Sequence, residues 1–372
     1  MSALYIHIPF CNKKCHYCNF FSTVSLKNRS EIVEAIINEI ELKKNYLQTN
    51  ILQTIYFGGG TPSILSEKEL IAIFDKIHQH FILSDDCEIT FEANPDDISS
   101  DKLKLYKELG INRLSIGIQA FNDDILKTLN RNHTAKEAIY AIELSHTYGF
   151  DNLNIDLIYG IPGLSEDLWK KELQIFLSFD IPHLSAYNLT VEPKTALDIL
   201  IKKKKYPNLN EDEAINHFNY LLNFLNDNGY YQYEISNFSR LGKESKHNSN
   251  YWKNLPYLGI GPSANSFNII SRQWNHSSIK LYLENIKLEK EFEAKEILSL
   301  DDRFNEYIML GLRTSWGIDM EIVKNTFGLD YKNHLEIFLE KNPTYFKRDI
   351  NTIVLAPNFR MLADKIASDI FK

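Results

Sequence analysis

Three cysteines in one short loop are the residues of this chain best suited to chemistry. Cys11, Cys15 and Cys18 follow the pattern Cys-x-x-x-Cys-x-x-Cys, directly after the apolar stretch 4–10. Neighbouring thiols can converge on one metal centre, and a [4Fe–4S] cluster normally has a cysteine on each iron. A loop with three cysteines therefore predicts an iron–sulfur cluster in which one iron is free to bind another molecule.

Two other arrangements of these cysteines, a zinc site and a disulfide, fit the sequence less well than a cluster. Structural zinc is normally bound by four nitrogen or sulfur ligands, and His16 cannot easily close the same ring as its neighbours in the loop. A disulfide would leave one cysteine unpaired, and nothing in the sequence suggests secretion. The remaining cysteine, Cys87, stands alone before an apolar run, so we interpret it as a small buried side chain.

The composition indicates a soluble cytoplasmic protein. The chain has 372 residues, of which 44% are hydrophobic, enough for a large core. Its net charge of −8 gives no reason to expect binding to nucleic acid or to an anionic membrane, and we interpret the basic run 202–205 as a solvated loop. The chain starts in a strand-like segment without a signal-peptide pattern, and no apolar run reaches transmembrane length.

Short β-rich runs alternate with amphipathic segments, which predicts an α/β fold with a parallel sheet and helices outside it. About six βα units fit this alternation, fewer than the eight of a closed TIM barrel, so we expect a partial (β/α)6 TIM-like barrel in residues 1–230. The predicted strands are 4–9, 54–57, 88–92, 113–119, 152–158 and 183–189. The predicted helices are 31–46, 67–81, 100–109, 135–148 and 166–179.

Polar residues or glycines stand at the carboxyl end of nearly every predicted strand. The cysteine loop follows the first strand, Gly58-Gly-Gly-Thr-Pro62 the second and Glu92-Ala-Asn-Pro95 the third, while Gln119 and Asp156 come at the fourth and fifth. Glycine and Asn-Pro also mark ordinary turns. Turn chemistry does not explain Glu, Gln and Asp at the ends of buried strands, where unpaired polar groups are costly. Because parallel barrels place their chemistry at this rim, we expect one site there.

The pattern changes after about residue 230. We expect residues 231–300 to be a connecting segment that contains the glycine-rich loop 259–266. Residues 301–372 then predict a small α+β winged-helix-like module, with helices 320–327, 331–339 and 360–371 and two short strands around Asn351. Glu336 and Glu340 lie on its second helix, so packing or docking is favoured over DNA binding, which needs basic side chains.

Taken together, these motifs resemble the radical S-adenosylmethionine superfamily, in the branch related to oxygen-independent coproporphyrinogen III oxidase. The resemblance covers almost the whole chain. It rests on the opening Tyr5-x-His-Ile-Pro-Phe-Cys with the cysteine loop, on Gly-Gly-Gly-Thr-Pro and Glu-x-Asn-Pro, and on Arg131-x-His133. The resemblance implies the radical S-adenosylmethionine type of partial barrel.

The resemblance also implies a role for each residue of the site. Cys11, Cys15 and Cys18 would bind the [4Fe–4S] cluster, and S-adenosylmethionine would chelate its free iron. Tyr17 would lie against adenine, Glu92 would accept hydrogen bonds from ribose, and Arg131 would pair with a carboxylate. Gly59, Gly60 and Thr61 would approach the methionyl amine by backbone. The remaining residues implied in the lining of this site are Tyr5, Asn19, Gln119 and Asp156.

Two places in the sequence separate members of this branch. Relatives that oxidise coproporphyrinogen have a further cysteine two residues after the third ligand, where this chain has Phe20. The run Lys246-His-Asn-Ser-Asn-Tyr-Trp252 resembles the His-Asn-x-x-Tyr-Trp signature of the HemW-type haem chaperones. His247 is then either a haem-iron ligand or a histidine held by local hydrogen bonds beside two aromatic side chains. Asn265 stands where relatives usually have a histidine, so no role of that histidine applies here.

The resemblance leaves two functions of different classes. The first is a haem chaperone that binds haem, the cluster and S-adenosylmethionine and transfers haem to acceptor haemoproteins. The alternative is a radical enzyme that oxidises coproporphyrinogen III, against which Phe20 argues. Membership of the chaperone family would also imply a homodimer linked through the cluster and a loose association with membrane proteins.

Overall fold

A parallel sheet forms the centre of the molecule, as the alternation predicts. The computed structural model describes residues 2–289 and 293–372. Six of its parallel strands pair in chain order and overlap the six predicted strands. They are β1 (Ala3–Ile8), β2 (Ile51–Gly59), β3 (Ile82–Ala93), β4 (Arg113–Gln119), β5 (Leu153–Tyr159) and β6 (His183–Asn188).

Helices follow these strands and begin where the sequence provides N-terminal caps. Ser66 and Glu69 form a reciprocal capping box at one helix start, and Thr134 and Glu137 form another. The five predicted helices all form, with ends that differ from the prediction by up to three residues, and a short helix after β4 joins them. The helices are α1 (Arg29–Lys43), α2 (Glu67–His80), α3 (Ser100–Glu108), α4 (Asp123–Thr128), α5 (Ala135–Thr147) and α6 (Glu166–Ser178).

The two faces of the parallel sheet differ in chemistry. One face carries apolar residues such as Ile6, Phe57 and Leu114, which are buried in the main hydrophobic core with the helices. Side chains alternate along a strand, so the residues between them point to the other side. This inner face carries mostly polar groups, of which Thr54, Tyr56, Glu88, Glu92 and Asp156 matter below. The strands of a sheet that is buried on both sides normally have continuous apolar sequences. The polar residues of the inner face therefore indicate a functional region.

Residues 231–300, expected to connect two units, instead extend the same sheet at both edges. Their strands are β7 (Tyr231–Gln232), β8 (Asn237–Ser239), β9 (Tyr257–Ile260), β10 (Asn265–Phe267), β11 (Ser271–Asn275) and β12 (Glu293–Ile297). The helices between β6 and β12 are α7 (Ala196–Lys202), α8 (Glu211–Asp227), α9 (Lys246–Trp252) and α10 (Ile279–Lys287). The strand order is β12-β11-β10-β9-β1-β2-β3-β4-β5-β6-β8-β7, and β9 is parallel to β1. Most of the added strands are short and polar, so the sequence does not mark them as β-rich runs.

The C-terminal residues form a small helical unit with its own apolar core and a three-stranded antiparallel sheet in the order β13-β15-β14. The predicted helix 360–371 begins only at Ala363, because Pro357 starts a 3-10 segment that ends at Leu362. Arg360 donates to Gln232 of the large sheet across 2.7 Å. The elements are α11 (Leu300–Leu312), β13 (Ile318–Asp319), α12 (Met320–Phe327), α13 (Leu329–Lys341), β14 (Phe346–Asp349), β15 (Thr352–Leu355) and α14 (Ala363–Ile370).

Among the residues that the structure describes, no helix is both long enough and apolar enough to span a membrane.

Candidate cluster and cofactor site

The cysteine loop joins β1 to α1 and is held by backbone hydrogen bonds from three directions. The Cys11 amide donates to the Thr23 carbonyl across 3.0 Å, which closes the loop on itself. The His16 amide donates to the Leu129 carbonyl, and the His16 carbonyl accepts from the Leu197 amide at 2.7 Å. The loop is therefore fixed to the segment after α4 and to the first turn of α7, and its shape does not depend on the thiols alone.

The three thiols of the loop are free and half-buried. Arg131 Nη1 donates to Cys15 Sγ across 3.3 Å, and the Thr61 hydroxyl donates to Cys11 Sγ across 3.6 Å. Burial raises the pKa of the Cys18 thiol. Within residues 2–289 and 293–372, no group of three or more Cys, His, Asp or Glu side chains is arranged to hold a single metal ion. A cluster fits this donor set better than one shared zinc ion, because each thiolate binds its own iron.

A cavity of about 370 Å³ opens beside these thiols at the carboxyl ends of the parallel strands. Almost all of the site residues implied by the sequence lie in its wall, although they come from the cysteine loop, from the carboxyl-terminal parts of four strands and from the segment between α4 and α5. The implied residues that line it are Cys11, Cys15, Tyr17, Cys18, Asn19, Gly59, Gly60, Thr61, Glu92, Gln119, Arg131 and Asp156.

Two glycines in the wall occupy positions where a side chain does not fit. A Cβ on Gly60 would lie 2.5 Å from the Phe10 carbonyl oxygen, which belongs to the backbone before Cys11. Gly59 has a φ of 106° and faces the His7 ring at a similarly short distance. The second strand therefore approaches the start of the cysteine loop by backbone alone, which keeps its N–H and C=O groups close to the cavity.

Glu92 is the acidic side chain at the end of β3 that lines the cavity. The Tyr56 hydroxyl donates to its Oε1 across 2.7 Å. Burial raises the pKa of Glu92 to about 7; the Tyr56 and Gly59 hydrogen bonds and Arg113 act against that rise, and Asp156 adds to it. The carboxyl group is thus an acceptor whose charge changes near neutral pH.

Arg131 places a cation between the cavity and the cysteine loop. Its Nη2 donates to Asn94 Oδ1 at 2.9 Å and to the Gly117 carbonyl at 2.6 Å. Its Nε is buried and has no hydrogen-bond partner. Because an unsatisfied buried N–H is costly, this guanidinium is held at the cavity wall at the expense of one hydrogen bond.

Gln119 and Asp156 complete the polar wall. Gln119 ends β4 with a φ of 69°, a conformation that non-glycine residues adopt rarely and mostly where function requires it. Asp156 Oδ1 accepts from Asn154 Nδ2 at 2.8 Å, and burial raises the pKa of the Asp156 carboxyl.

Tyr5 and His247 do not line this cavity. Tyr5 lies on the inner face, nearer the amino ends of the parallel strands than the cavity does. Its hydroxyl is 3.2 Å from His7 Nδ1. His247 is only 1% exposed, and its Nδ1 and Nε2 lie 2.8 Å from the hydroxyls of Thr54 and Tyr251 respectively. Of the two readings left open by the sequence, this environment favours the hydrogen-bonded histidine over the haem ligand.

Sequence reasoning missed several residues of the site. Asn94 bridges Thr61 and Arg131, and Tyr56 orients Glu92. Lys13, Ser115 and Tyr187 also line the cavity. The alternation of side chains along a strand, counted back by two residues from Gly58 on β2, would have placed Tyr56 on the inner face.

Comparisons with known proteins agree with this geometry. Residues 5–174 match the Radical SAM superfamily, and residues 298–339 match the HemN C-terminal domain. The heme chaperone HemW of Bacillus subtilis (strain 168) is 36% identical over 335 residues, which cover 88% of this chain and 87% of the relative. The heme chaperone HemW of Escherichia coli (strain K12) is 37% identical over 266 residues, 70% of this chain and 69% of the relative.

The chain belongs to the HemW family. Within the radical SAM superfamily, its fold is also that of the coproporphyrinogen III oxidase HemN from Escherichia coli, with a TM-score of 0.86 over 100% of this chain and 90% of that one. The identity to that oxidase is only 21%, so the likeness concerns the fold alone. The HemW relatives, in contrast, are similar in sequence over most of their length.

Proposed function

We propose that this chain is a haem chaperone that binds a [4Fe–4S] cluster and S-adenosylmethionine and transfers haem to acceptor haemoproteins. The observation that carries the proposal is the meeting of three free thiols, the Arg131 guanidinium and the Glu92 carboxyl group at one cavity. HemW relatives at 36–37% identity carry the name heme chaperone.

Cys11, Cys15 and Cys18 would hold the cluster. When bound, such a cluster supplies an electron-transfer centre and an open iron position. Arg131 beside Cys15 would balance the negative charge of the thiolates, since charge-assisted hydrogen bonds to sulfur favour the deprotonated form. The anchored loop would hold the thiols in place before the cluster forms, which lowers the entropy cost of binding.

The wall residues would bind S-adenosylmethionine. Gly59, Gly60 and Thr61 would present backbone groups to the methionyl amine, and the Arg131 guanidinium would pair with the methionyl carboxylate. Glu92 would accept from the ribose hydroxyls, a contact that is stronger when its carboxyl group is ionised. Tyr17 and Asn19 would contact the adenosyl group from the cysteine loop, and Gln119 and Asp156 would complete the lining.

We do not assign the haem iron to His247, because both of its ring nitrogens already have partners. The homodimer and the contacts with membrane proteins stay predictions from the family resemblance.

The experiment is a hemin titration of the anaerobically reconstituted protein, followed through the Soret band with and without S-adenosylmethionine, and then transfer to an apo-haemoprotein. We expect saturable binding and transfer. Coproporphyrinogen is offered to the same preparation, and protoporphyrinogen formed at catalytic turnover would favour the oxidase instead. Absence of saturable hemin binding would reject the chaperone function.

A further inference from the structure

The His-Asn-x-x-Tyr-Trp motif forms helix α9, which covers the amino end of the inner face, at the opposite end of the strands from the cysteines. The Glu88 carboxylate of β3 accepts from the backbone amides of Lys246 and His247, both at 3.0 Å. Ser245 caps the same helix by accepting from the Asn248 amide. The helix is therefore attached to the sheet through its first turn.

His247 projects from this helix into the inner face. The Thr54 hydroxyl accepts from Asn250 Nδ2 at 3.3 Å, so its own proton is free for His247 Nδ1 at 2.8 Å. The opposite nitrogen, Nε2, then donates to the Tyr251 hydroxyl. Burial, with the nearby Arg113 charge, lowers the pKa of His247 to about 3, and a neutral ring with one donor and one acceptor satisfies both contacts.

The His247 ring packs against Tyr56, with ring centroids 5.0 Å apart and the planes tilted by 32°. Tyr5 contacts the same ring from β1, at 6.5 Å between centroids. Tyr56 is thus confined on its ring face by the motif, while its hydroxyl donates to Glu92 at the cavity. Continuous contacts lead from the motif through one tyrosine to the cofactor site.

We propose that His247 and Tyr56 are positioning residues for cofactor binding: the motif helix holds the Tyr56 ring, and the Tyr56 hydroxyl holds the Glu92 carboxylate in the cavity wall. This inference rests on the proposed role of Glu92 in binding S-adenosylmethionine. It gives the motif a task in shaping the cofactor site, and it does not require His247 to touch haem.

The test compares three variants after anaerobic reconstitution of the full chain. Tyr56→Phe keeps the ring but removes the hydroxyl, and His247→Gln removes the ring that packs against Tyr56. Tyr230→Phe is the matched control, since the buried Tyr230 hydroxyl donates to the Ile181 carbonyl away from the cavity. The affinities for S-adenosylmethionine and for hemin are measured by titration calorimetry and absorption.

We expect Tyr56→Phe to weaken S-adenosylmethionine binding roughly tenfold, the scale of losing one hydrogen bond to a charged group. His247→Gln should act in the same direction with hemin affinity unchanged within about twofold, since only the cofactor contact is lost. In a Glu92→Gln background, Tyr56→Phe should add no further loss, because the tyrosine acts through that carboxylate. A purely structural role would not produce this coupling, and Tyr230→Phe should leave both affinities as in the wild type.

Wild-type affinity of Tyr56→Phe for S-adenosylmethionine would overturn the inference. Loss of hemin binding in His247→Gln without an effect on S-adenosylmethionine would also overturn it and would restore the haem-ligand reading. If His247→Gln does not fold, Tyr56→Phe and the double variant decide alone. Failure of the wild-type protein to bind S-adenosylmethionine would instead reject the proposed cofactor role of Glu92.

Discussion

At the carboxyl end of the parallel strands, polar side chains such as Glu92 and Arg131 turn towards a cavity, and one buried Arg131 donor has no partner. At the amino end of the same face, Glu88 and His247 have their hydrogen-bonding atoms occupied by α9 and its neighbours. Similar residue types thus line a binding cavity at the carboxyl end and support the structure at the amino end. The difference is that the polar residues at the carboxyl end face an open cavity, whereas those at the amino end face helix α9.

Removal of a cluster ligand should have the largest effect at the carboxyl end of the parallel strands, which faces the cavity and is called the open end below. In Cys15→Ser, the hydroxyl replaces the thiol beside Arg131, and we expect complete loss of the cluster because one of the three thiolates is missing. Iron and sulfide content and the visible spectrum after anaerobic reconstitution measure this. Cys87→Ser is the matched control, since Cys87 lies alone on β3 away from the cavity; equal loss there would show that folding, and not ligation, is being measured.

Removal of Glu88 should have the largest effect at the amino end of the same face, the closed end, which α9 covers. Glu88→Ala leaves the first-turn amides of Lys246 and His247 without their buried acceptor, so we expect a loss of about 3 kcal/mol in the free energy of unfolding. Glu88→Gln retains one acceptor oxygen and should lose about half as much. Urea unfolding measures both. A change below about 0.5 kcal/mol in Glu88→Ala, the range of ordinary surface substitutions, would mean that α9 is not held in this way.

The pH dependence of S-adenosylmethionine binding should test whether Glu92 binds the ligand at the open end. Because burial raises the pKa of this carboxyl from 4.5 to about 7, it ionises only as the pH rises through about 7. We expect the affinity for S-adenosylmethionine to rise several-fold between about pH 6 and about pH 8, since the ribose contacts are stronger with the ionised carboxylate. Titrations at several pH values measure it, and a profile that stays the same in Glu92→Gln would assign the dependence to another group.

The same raised pKa has the opposite consequence for stability without ligand. The folded protein retains the Glu92 proton after the unfolded chain has lost it, so the contribution of Glu92 to stability falls as the pH rises from about 4.5 to about 7. Glu92→Gln should therefore flatten the pH dependence of the unfolding midpoint over that window.

The smallest effect is expected for the Lys246 side chain. Its Nζ pairs with Asp86 at 2.7 Å on the exposed surface, whereas its backbone amide is bound by buried Glu88. Lys246→Met should leave the urea midpoint unchanged, because exposed ion pairs contribute little. A clear loss would show that the motif is held by surface charge as well as by Glu88.

The local pattern predicted the parallel strands and the residues at their carboxyl ends. Alternation and capping residues are local, and strands that are parallel must end at one edge, so Glu92, Gln119 and Asp156 could be expected to meet the cysteine loop. The edge strands β7 to β12 were missed, since they are short and most of them are polar. The two that join them to the parallel strands, β8 and β9, pair with β6 and β1, which lie far away in the chain.

The sequence by itself determined which side chains could hold a cluster, through three thiols in one loop, and which strand ends would surround it. Only the tertiary structure decided which polar residues remain open to a ligand. Thr54 and His247 are 193 residues apart in the chain, and no local pattern reveals that they share a hydrogen bond. Whether a buried polar group binds a ligand or a neighbour depends on what is packed against it, and that packing is not local.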